Sequence, residues 1–267
     1  MSAATILLDG LAVGRGTLTV AGPFDAAISA GQALVVTGPN GAGKSTLLRT
    51  LAGLLRPMAG AIRLQGLEAP DGEPAERLAD VAHYIGHRHA MKSQINVGEN
   101  LAFWASYLGG GNRPAGARRR QSPDGQPPAA QSPEATASQL WPLSPAEALA
   151  AVGLPGLAPI PFAYLSAGQQ RRASLARLLV AHRPVWILDE PTSALDAASQ
   201  QRFADLVTAH LATGGIAIAA THHPLGLEGA KTLSITPPGG RGASPSANDE
   251  AAPAFDDSAL AEAEGWL

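Results

Sequence analysis

The sequence predicts an α/β fold with a largely parallel central sheet and an antiparallel edge. Three short apolar runs are typical of buried strands, and they lie at 33–37, 185–188 and 216–220. Segments with helical character alternate with them, at 44–53, 169–181 and 197–211. Alternation of this kind is typical of parallel strands joined by helices that cover both faces of the sheet. Residues 6–8 and 18–20 predict the antiparallel edge strands.

Composition divides the chain into one main domain and two atypical stretches. We assign residues 3–236 to the main domain, with a helical subdomain at about 87–182. The stretch 109–145 is dense in Gly, Pro, Gln, Ser and Ala, and the same composition recurs from residue 237. Such stretches hold too few large apolar residues to offset their ordering entropy. We therefore expect a flexible insertion at 109–145 and a tail at 237–267 with a possible short helix.

Charge and cysteine content exclude several functions. The 267 residues include 19 Lys and Arg against 22 Asp and Glu, a net charge of −3. This balance argues against a nucleic-acid partner bound through a broad basic surface, because phosphate neutralisation needs clustered cations. The chain has no cysteine, which excludes disulfides, thiolate metal sites and thiol catalysis. The first ten residues lack the pattern of a signal peptide. The stretch 206–227 has no Asp, Glu, Lys or Arg, but histidines, glycines and a proline interrupt it, so it does not predict a membrane helix.

The strongest motif for chemistry follows the first apolar run. It fits the pattern Gly-x4-Gly-Lys-Ser/Thr and comprises Gly38, Pro39, Asn40, Gly41, Ala42, Gly43, Lys44, Ser45 and Thr46. A loop of this kind between a strand and a helix binds phosphates, because its backbone N–H groups and the helix N-terminus face the anion. We expect Lys44 to reach the β- and γ-phosphates of a nucleotide and the Ser45 hydroxyl to hold Mg²⁺.

Two adjacent acids end the run at 185–188. Asp189 and Glu190 precede Pro191, and taken alone they could equally begin a turn. A phosphate-binding loop in the same chain favours the functional interpretation. Adjacent side chains at a strand end leave in different directions, so Asp189 suits the Mg²⁺ shell and Glu190 suits acceptance of a proton from an attacking water.

A third motif, Leu-Ser-Ala-Gly-Gln-Gln-Arg-Arg at 165–172, precedes a helix. It resembles the signature of ATP-binding-cassette (ABC) ATPases, usually Leu-Ser-Gly-Gly-Gln, with Ala167 in place of the first glycine. The resemblance covers residues 3–236 and implies a P-loop NTPase fold of ABC type. It also implies that two copies form a homodimer on binding ATP. In that dimer Ser166, Gly168 and Gln169 of one subunit would cap the γ-phosphate that the other subunit holds.

The resemblance assigns roles to three further residues. Asp196 ends Ser-Ala-Leu-Asp, which is similar to the D-loop that links the two sites of the dimer. His222 follows the strand 216–220 and resembles the switch histidine, which contacts the γ-phosphate. His87 stands where the family usually has the Q-loop glutamine, and its imidazole can still bond water or the Mg²⁺ shell. Adenine stacking is the weakest match, because only Arg15 is available where many members have an aromatic residue.

The finer motifs resemble one subfamily. Tyr-Ile-Gly-His at 84–87, Glu-Asn-Leu-Ala-Phe-Trp at 99–104 and Trp-Ile-Leu-Asp-Glu-Pro at 186–191 are similar to the ATP-binding subunits of bacterial cytochrome c maturation systems, the haem exporter ATPases. This resemblance implies an ATP hydrolase with ATP and Mg²⁺ as cofactors. It would be peripheral to the cytoplasmic face of the inner membrane and coupled to integral membrane subunits. The alternatives are an ATPase subunit for another transported substrate, a soluble ABC ATPase acting on DNA or ribosomes, and a nucleotide-binding switch without hydrolysis.

Overall fold

The computed structural model describes residues 4–109, 142–221, 227 and 229–236. The strands in these residues are β1 (Thr5–Arg15), β2 (Leu18–Ser29), β3 (Ala33–Thr37), β4 (Ala59–Gln65), β5 (Ala82–Ile85), β6 (Val185–Asp189), β7 (Ile216–Ala220) and β8 (Lys231–Ser234). The α-helices are α1 (Lys44–Leu51), α2 (Val97–Leu108), α3 (Pro145–Ala151), α4 (Ala167–Leu175), α5 (Arg177–Val180) and α6 (Ala197–Ala212).

The strands form two sheets, which confirms the predicted fold class. Five parallel strands lie in the order β5-β6-β7-β3-β8, and three antiparallel strands lie in the order β2-β1-β4. All three strands predicted from apolar runs are central or next to central in the parallel sheet. Because these strands are parallel, β3, β6 and β7 end at the same edge of the sheet, and ligands bind at that edge in open α/β sheets.

Both faces of the parallel sheet are covered, which explains why its strands are apolar without alternation. On β6, Val185 and Ile187 pack into one core with α1 and the antiparallel sheet. Trp186 and Leu188, with side chains on the opposite face, pack into a second core formed largely by the helices between β5 and β6. β6 thereby joins the core under the antiparallel sheet to the core formed by these helices.

The antiparallel strands are much longer than the sequence predicted. β1 and β2 pair from Thr5 opposite Ser29 to Arg15 opposite Leu18, with register shifts between Leu8 and Leu11 and around Val13. Each irregularity changes which face of the sheet the following side chains are on. The alternation of apolar and polar residues that predicts a half-buried strand is therefore interrupted along β1 and β2. The prediction therefore found the strand starts at 6–8 and 18–20 and missed the rest.

The helical segments between β5 and β6 differ from the sequence prediction in two places. The helix predicted at 169–181 begins earlier, at Ala167, and divides into α4 and α5 at Ala176, where Leu179 N–H donates to the Ala176 carbonyl in a tighter turn. At the predicted insertion, residues 110–141 lie outside the described residues. The chain from residue 142 is folded, since Ser144 caps α3 by accepting a hydrogen bond from Glu147 N–H. The predicted tail at 237–267 also lies outside the described residues.

No helix in the described ranges is long and apolar enough to cross a membrane.

Two histidines are buried, one on a strand of the parallel sheet and one on helix α6. His83 on β5 is bonded through Nε2 to the Ala181 carbonyl oxygen at 2.8 Å, and the ring of His210 stacks on Trp186 with centroids 4.0 Å apart. Burial lowers the pKa of His83 to about 3 and that of His210 to about 4. Both rings are therefore neutral in the folded protein near neutral pH, and His83 donates its Nε2–H to Ala181.

We expect acid to destabilise the protein through these two rings. In the unfolded chain each histidine takes up a proton near pH 6.5, whereas the folded chain does not, so stability is lost as the pH falls below 6.5 toward the folded pKa values. Well below pH 6.5 each ring contributes a slope of about 1.4 kcal/mol per pH unit. The variant His83→Gln keeps an N–H donor for Ala181 without a titration. Urea unfolding between pH 6.5 and 5 should therefore give it a shallower pH slope than the wild type, and equal slopes would contradict this assignment.

Candidate active site

The predicted phosphate-binding loop has a backbone that only glycine adopts without strain. Gly38 has a φ of 146° and Gly43 has a φ of 104°, both in the region that other residues avoid. A Cβ at Gly38 would also lie 2.5 Å from the Ile235 carbonyl oxygen. Gly43 caps α1 at its N-terminus, so the loop leads directly into the positive end of a helix dipole.

Lys44 is held at the loop by backbone oxygens. Its Nζ donates to the carbonyl oxygens of Gly38 at 2.8 Å and Pro39 at 3.1 Å. The side chain is buried, and a buried ammonium is tolerated when hydrogen bonds replace its water. An ammonium has three donors, so the two carbonyls leave one for a phosphate oxygen.

Ser45, Asp189 and His87, the three residues predicted to bind Mg²⁺ or its shell, lie close together in the structure. Asp189 is 1% exposed, and its Oδ1 accepts a hydrogen bond of 3.0 Å from Ser45 Oγ. His87 Nε2 lies 3.7 Å from the other oxygen, Oδ2. That Oδ2 is buried, and among the described residues it has no hydrogen-bond partner. A buried carboxylate oxygen and a hydroxyl are the donor types that Mg²⁺ prefers, so these residues fit a Mg²⁺ ion.

Glu190 leaves β6 in a different direction from Asp189. Its N–H donates to the Ala220 carbonyl at 2.9 Å in the last ladder bond with β7. Its φ is 47°, a left-handed conformation that is uncommon for residues other than glycine. The chain therefore turns sharply at Glu190, and its half-buried side chain leaves the strand where Asp189 stays in the core. His222, predicted to act beside it, lies outside the described residues.

Arg171 is a residue of this site that sequence reasoning missed. It lies on α4, is 3% exposed, and donates to the carbonyl oxygens of Gly86, Asp189, Glu190 and Pro191. Burial lowers the pKa of this guanidinium, and the nearby Asp189 and Glu190 partly offset that effect. One signal in the sequence could have found it. Arg171 is on the same face of the predicted helix as Leu175 and Leu178, the face that packs into the core, and a buried guanidinium needs hydrogen-bond partners.

The signature and D-loop residues lie together at the surface and stabilise helix ends. Ser166 Oγ accepts from Gln169 N–H, and Gln169 Oε1 accepts from Ser166 N–H, which caps α4. Asp196 caps α6 by accepting from Ser199 N–H at 2.7 Å. Hydrogen bonds from the Ser199 side chain and backbone lower the pKa of Asp196. A Cβ at Gly168 would lie 3.2 Å from the Ala194 carbonyl oxygen. The two predicted dimer-contact motifs are thus neighbours.

Phosphate loop, paired acids and signature together define an ATP-binding cassette. The sequence profile of the ABC transporter family matches residues 22–193, and the chain belongs to that family. This confirms the family resemblance and the ATPase class of the protein. The chain is 47% identical to the cytochrome c biogenesis ATP-binding export protein CcmA of Rhizobium meliloti over 86% of this chain and 97% of that protein.

Other comparisons give the same class. The chain is 50% identical to the CcmA protein of Rhizobium johnstonii over 78% of this chain and 84% of that protein. The fold is similar to a dimeric post-hydrolysis structure of an ATP-binding cassette bound to ADP and Pi, with a TM-score of 0.61. That match has 19% sequence identity and covers 86% of this chain and 94% of the solved chain.

Proposed function

We propose that this chain is the Mg·ATP-hydrolysing subunit of an ABC complex that exports haem for the biogenesis of c-type cytochromes. The observation that carries the ATPase part is the Ser45–Asp189 hydrogen bond, which brings the phosphate loop to the paired acids. Near-full-length similarity to CcmA proteins supports the cytochrome c part. The proposed ATPase domain is residues 3–236.

The phosphates of ATP lie against the loop from Gly38 to Thr46. Its N–H groups and the α1 N-terminus face the phosphate oxygens. The one Lys44 donor that the Gly38 and Pro39 carbonyls leave is shared by the β- and γ-phosphates. Ser45 and Asp189 hold Mg²⁺, which when bound neutralises negative charge on the phosphates. Little covalent chemistry is needed in phosphoryl transfer, so positioning and charge neutralisation supply most of the rate.

Glu190 orients the attacking water and accepts its proton. Its half-buried side chain leaves the strand beside Asp189, whose carboxylate is engaged with Ser45. His87 bonds water or the Mg²⁺ shell from a position 3.7 Å from Asp189 Oδ2. His222 contacts the γ-phosphate and helps to orient the water. These roles divide the two acids between metal and proton, as two carboxylates in different environments allow.

Removing the Ser45 hydroxyl tests the proposed Mg²⁺ site. We expect Ser45→Ala to raise the Mg²⁺ concentration for half-maximal ATP hydrolysis by about 10-fold, because one oxygen ligand and the hydrogen bond that orients Asp189 are both lost. The measurement is phosphate release at fixed ATP with increasing Mg²⁺, after metal removal with a chelator. Thr50→Ser is a matched control, since Thr50 donates to a helix carbonyl inside α1. An unchanged Mg²⁺ requirement in Ser45→Ala would remove Ser45 from the site.

Two copies close head to tail on two ATP molecules. The exposed Ser166 and the adjacent Gly168 and Gln169 contact the γ-phosphate that the partner copy holds, with the α4 N-terminus toward the anion. Asp196 of the D-loop lies at the same surface. The solved cassette of similar fold, which is dimeric and bound to ADP and Pi, supports pairing of two copies.

The chain binds peripherally at the cytoplasmic face of the inner membrane, to integral membrane subunits of a cytochrome c maturation complex. The test is deletion of the gene in the source cells, followed by a haem stain of denatured membrane proteins, which detects covalently bound haem. We expect the c-type cytochromes to disappear while the b-type haem spectrum stays unchanged. Unchanged c-type cytochromes would leave the ATPase assignment intact and favour an exporter of a different substrate.

A further inference from the structure

We propose that Arg171 is a positioning residue that holds Glu190 and the Gly86–His87 segment in hydrolytic geometry, and so couples the signature helix α4 to the acid site of the same chain. This inference rests on the proposed role of Glu190. It assigns a function to a residue outside the five-residue signature and the paired acids.

The guanidinium of Arg171 binds three consecutive carbonyl oxygens where β6 ends. Its Nε donates to Pro191 at 3.0 Å, and its Nη2 donates to Asp189 at 3.1 Å and to Glu190. In a continuing parallel strand such oxygens would alternate between neighbouring strands. Here one side chain from helix α4 donates to all three of these carbonyl oxygens, so Arg171 fixes the direction in which the chain leaves the sheet.

The conformation of Glu190 needs this support. A φ of 47° at a residue other than glycine is strained and persists where surrounding contacts hold it. The Glu190 N–H is held by the Ala220 carbonyl of β7 at 2.9 Å. The Glu190 carbonyl accepts from Ser193 Oγ at 3.0 Å, within the same turn, and from Arg171, which lies on α4. Releasing the Arg171 contact would let Glu190 relax toward an ordinary conformation and would move its carboxylate.

The fourth bond of Arg171 reaches the opposite side of the site. Nη1 donates to the Gly86 carbonyl oxygen at 2.8 Å, directly before His87. A planar guanidinium presents its donors in a fixed fork, so the spacing between Gly86 and the β6 end is set by one rigid group. Because Ser166 caps α4, a displacement of the signature would reach both sides of the acid site through Arg171.

Arg183 provides a matched control. It is also buried, and it also donates to three backbone carbonyls, those of Ala79, Asp80 and Leu108. It precedes β6, at the opposite end of the strand from Glu190. Arg183→Met should therefore destabilise the fold through the same kind of loss while leaving the acid site in place.

The test compares steady-state ATP hydrolysis and thermal unfolding of the full chain. We expect Arg171→Met to lower kcat by about 10-fold or more with KM for Mg·ATP within threefold of the wild type, since hydrolysis depends on positioning and nucleotide binding does not. Arg183→Met should lower Tm comparably and keep kcat. Arg171→Lys should recover part of kcat, because one ammonium reaches only some of the carbonyls; it also carries the comparison if the methionine variant does not fold.

A double-mutant cycle tests whether Arg171 affects hydrolysis through Glu190 or independently of it. If Arg171 acts through Glu190, Arg171→Met should lower single-turnover hydrolysis by less than twofold in a Glu190→Gln background. The same fold loss in both backgrounds, or equal kcat values for Arg171→Met and Arg183→Met, would overturn the inference and leave the proposed function standing. Wild-type turnover in Glu190→Gln alone would overturn the role of Glu190 and the inference with it.

Discussion

Replacing Glu190 with glutamine should leave Mg·ATP binding intact and slow phosphate release by at least about 10²-fold, the low end of general-base effects. Glutamine keeps the size of the side chain and an oxygen for hydrogen bonding, but it cannot accept the proton of the attacking water. The backbone contacts at this position do not involve the side chain, since Arg171 and Ser193 bond the Glu190 carbonyl and its N–H bonds Ala220. The fold and the phosphate loop should therefore be unchanged.

Phosphate release at saturating Mg·ATP measures this effect, and equilibrium binding of a fluorescent ATP analogue checks the affinity. Glu73→Gln is the matched control, because Glu73 is an exposed glutamate in the connection between β4 and β5. It should hydrolyse ATP at the wild-type rate. Near-normal turnover in Glu190→Gln would show that another group accepts the proton.

Lys44→Ala should instead weaken nucleotide binding itself. The ammonium is held at the loop by the Gly38 and Pro39 carbonyls, with its third donor left for phosphate. Charge-assisted hydrogen bonds contribute about 1.5–3 kcal/mol each, so we expect the Kd for Mg·ATP to rise roughly 10²-fold. Hydrolysis at subsaturating ATP should fall at least as much.

The control for Lys44→Ala is Lys231→Ala. Lys231 is exposed at the start of β8 and donates to the Ala27 carbonyl, at the end of the parallel sheet away from the phosphate loop. Both variants should keep the cooperative thermal unfolding of the wild type, which confirms that lost affinity is not lost folding. An unchanged Kd in Lys44→Ala would argue against nucleotide binding at this loop.

Local patterns in the sequence predicted the central strands and the nucleotide loop. The strands β3 and β7 were predicted at their observed bounds, because strands buried on both faces are continuous apolar runs. The phosphate loop was predicted from its glycine-rich motif, and the structure gives the reason for two of those glycines, since Gly38 and Gly43 have backbone angles that other residues adopt poorly. Burial on both faces of a strand and the backbone angles of the loop each constrain residues that are close together in the chain, so both leave a pattern in the sequence.

Contacts between distant segments could not be predicted in this way. Arg171 bonds Gly86 and the β6 end, which lie 85 and about 20 positions away in the chain, and only the packing of α4 against the sheet brings them together. For Ser166 and Asp196, the sequence predicted a role between two chains and missed the role within one chain. Their motifs predicted contacts with a second copy, whereas in the single chain they cap α4 and α6.

ATP hydrolysis by this chain should be required for c-type cytochrome biogenesis, and one complementation experiment tests this requirement most directly. A strain lacking the gene would receive the wild type, Glu190→Gln or Glu73→Gln at equal expression, and covalently bound haem would be stained in its membrane proteins. We predict that the wild type and Glu73→Gln restore the c-type cytochromes and that Glu190→Gln does not. Full restoration by Glu190→Gln, with its hydrolysis shown to be lost, would contradict the account.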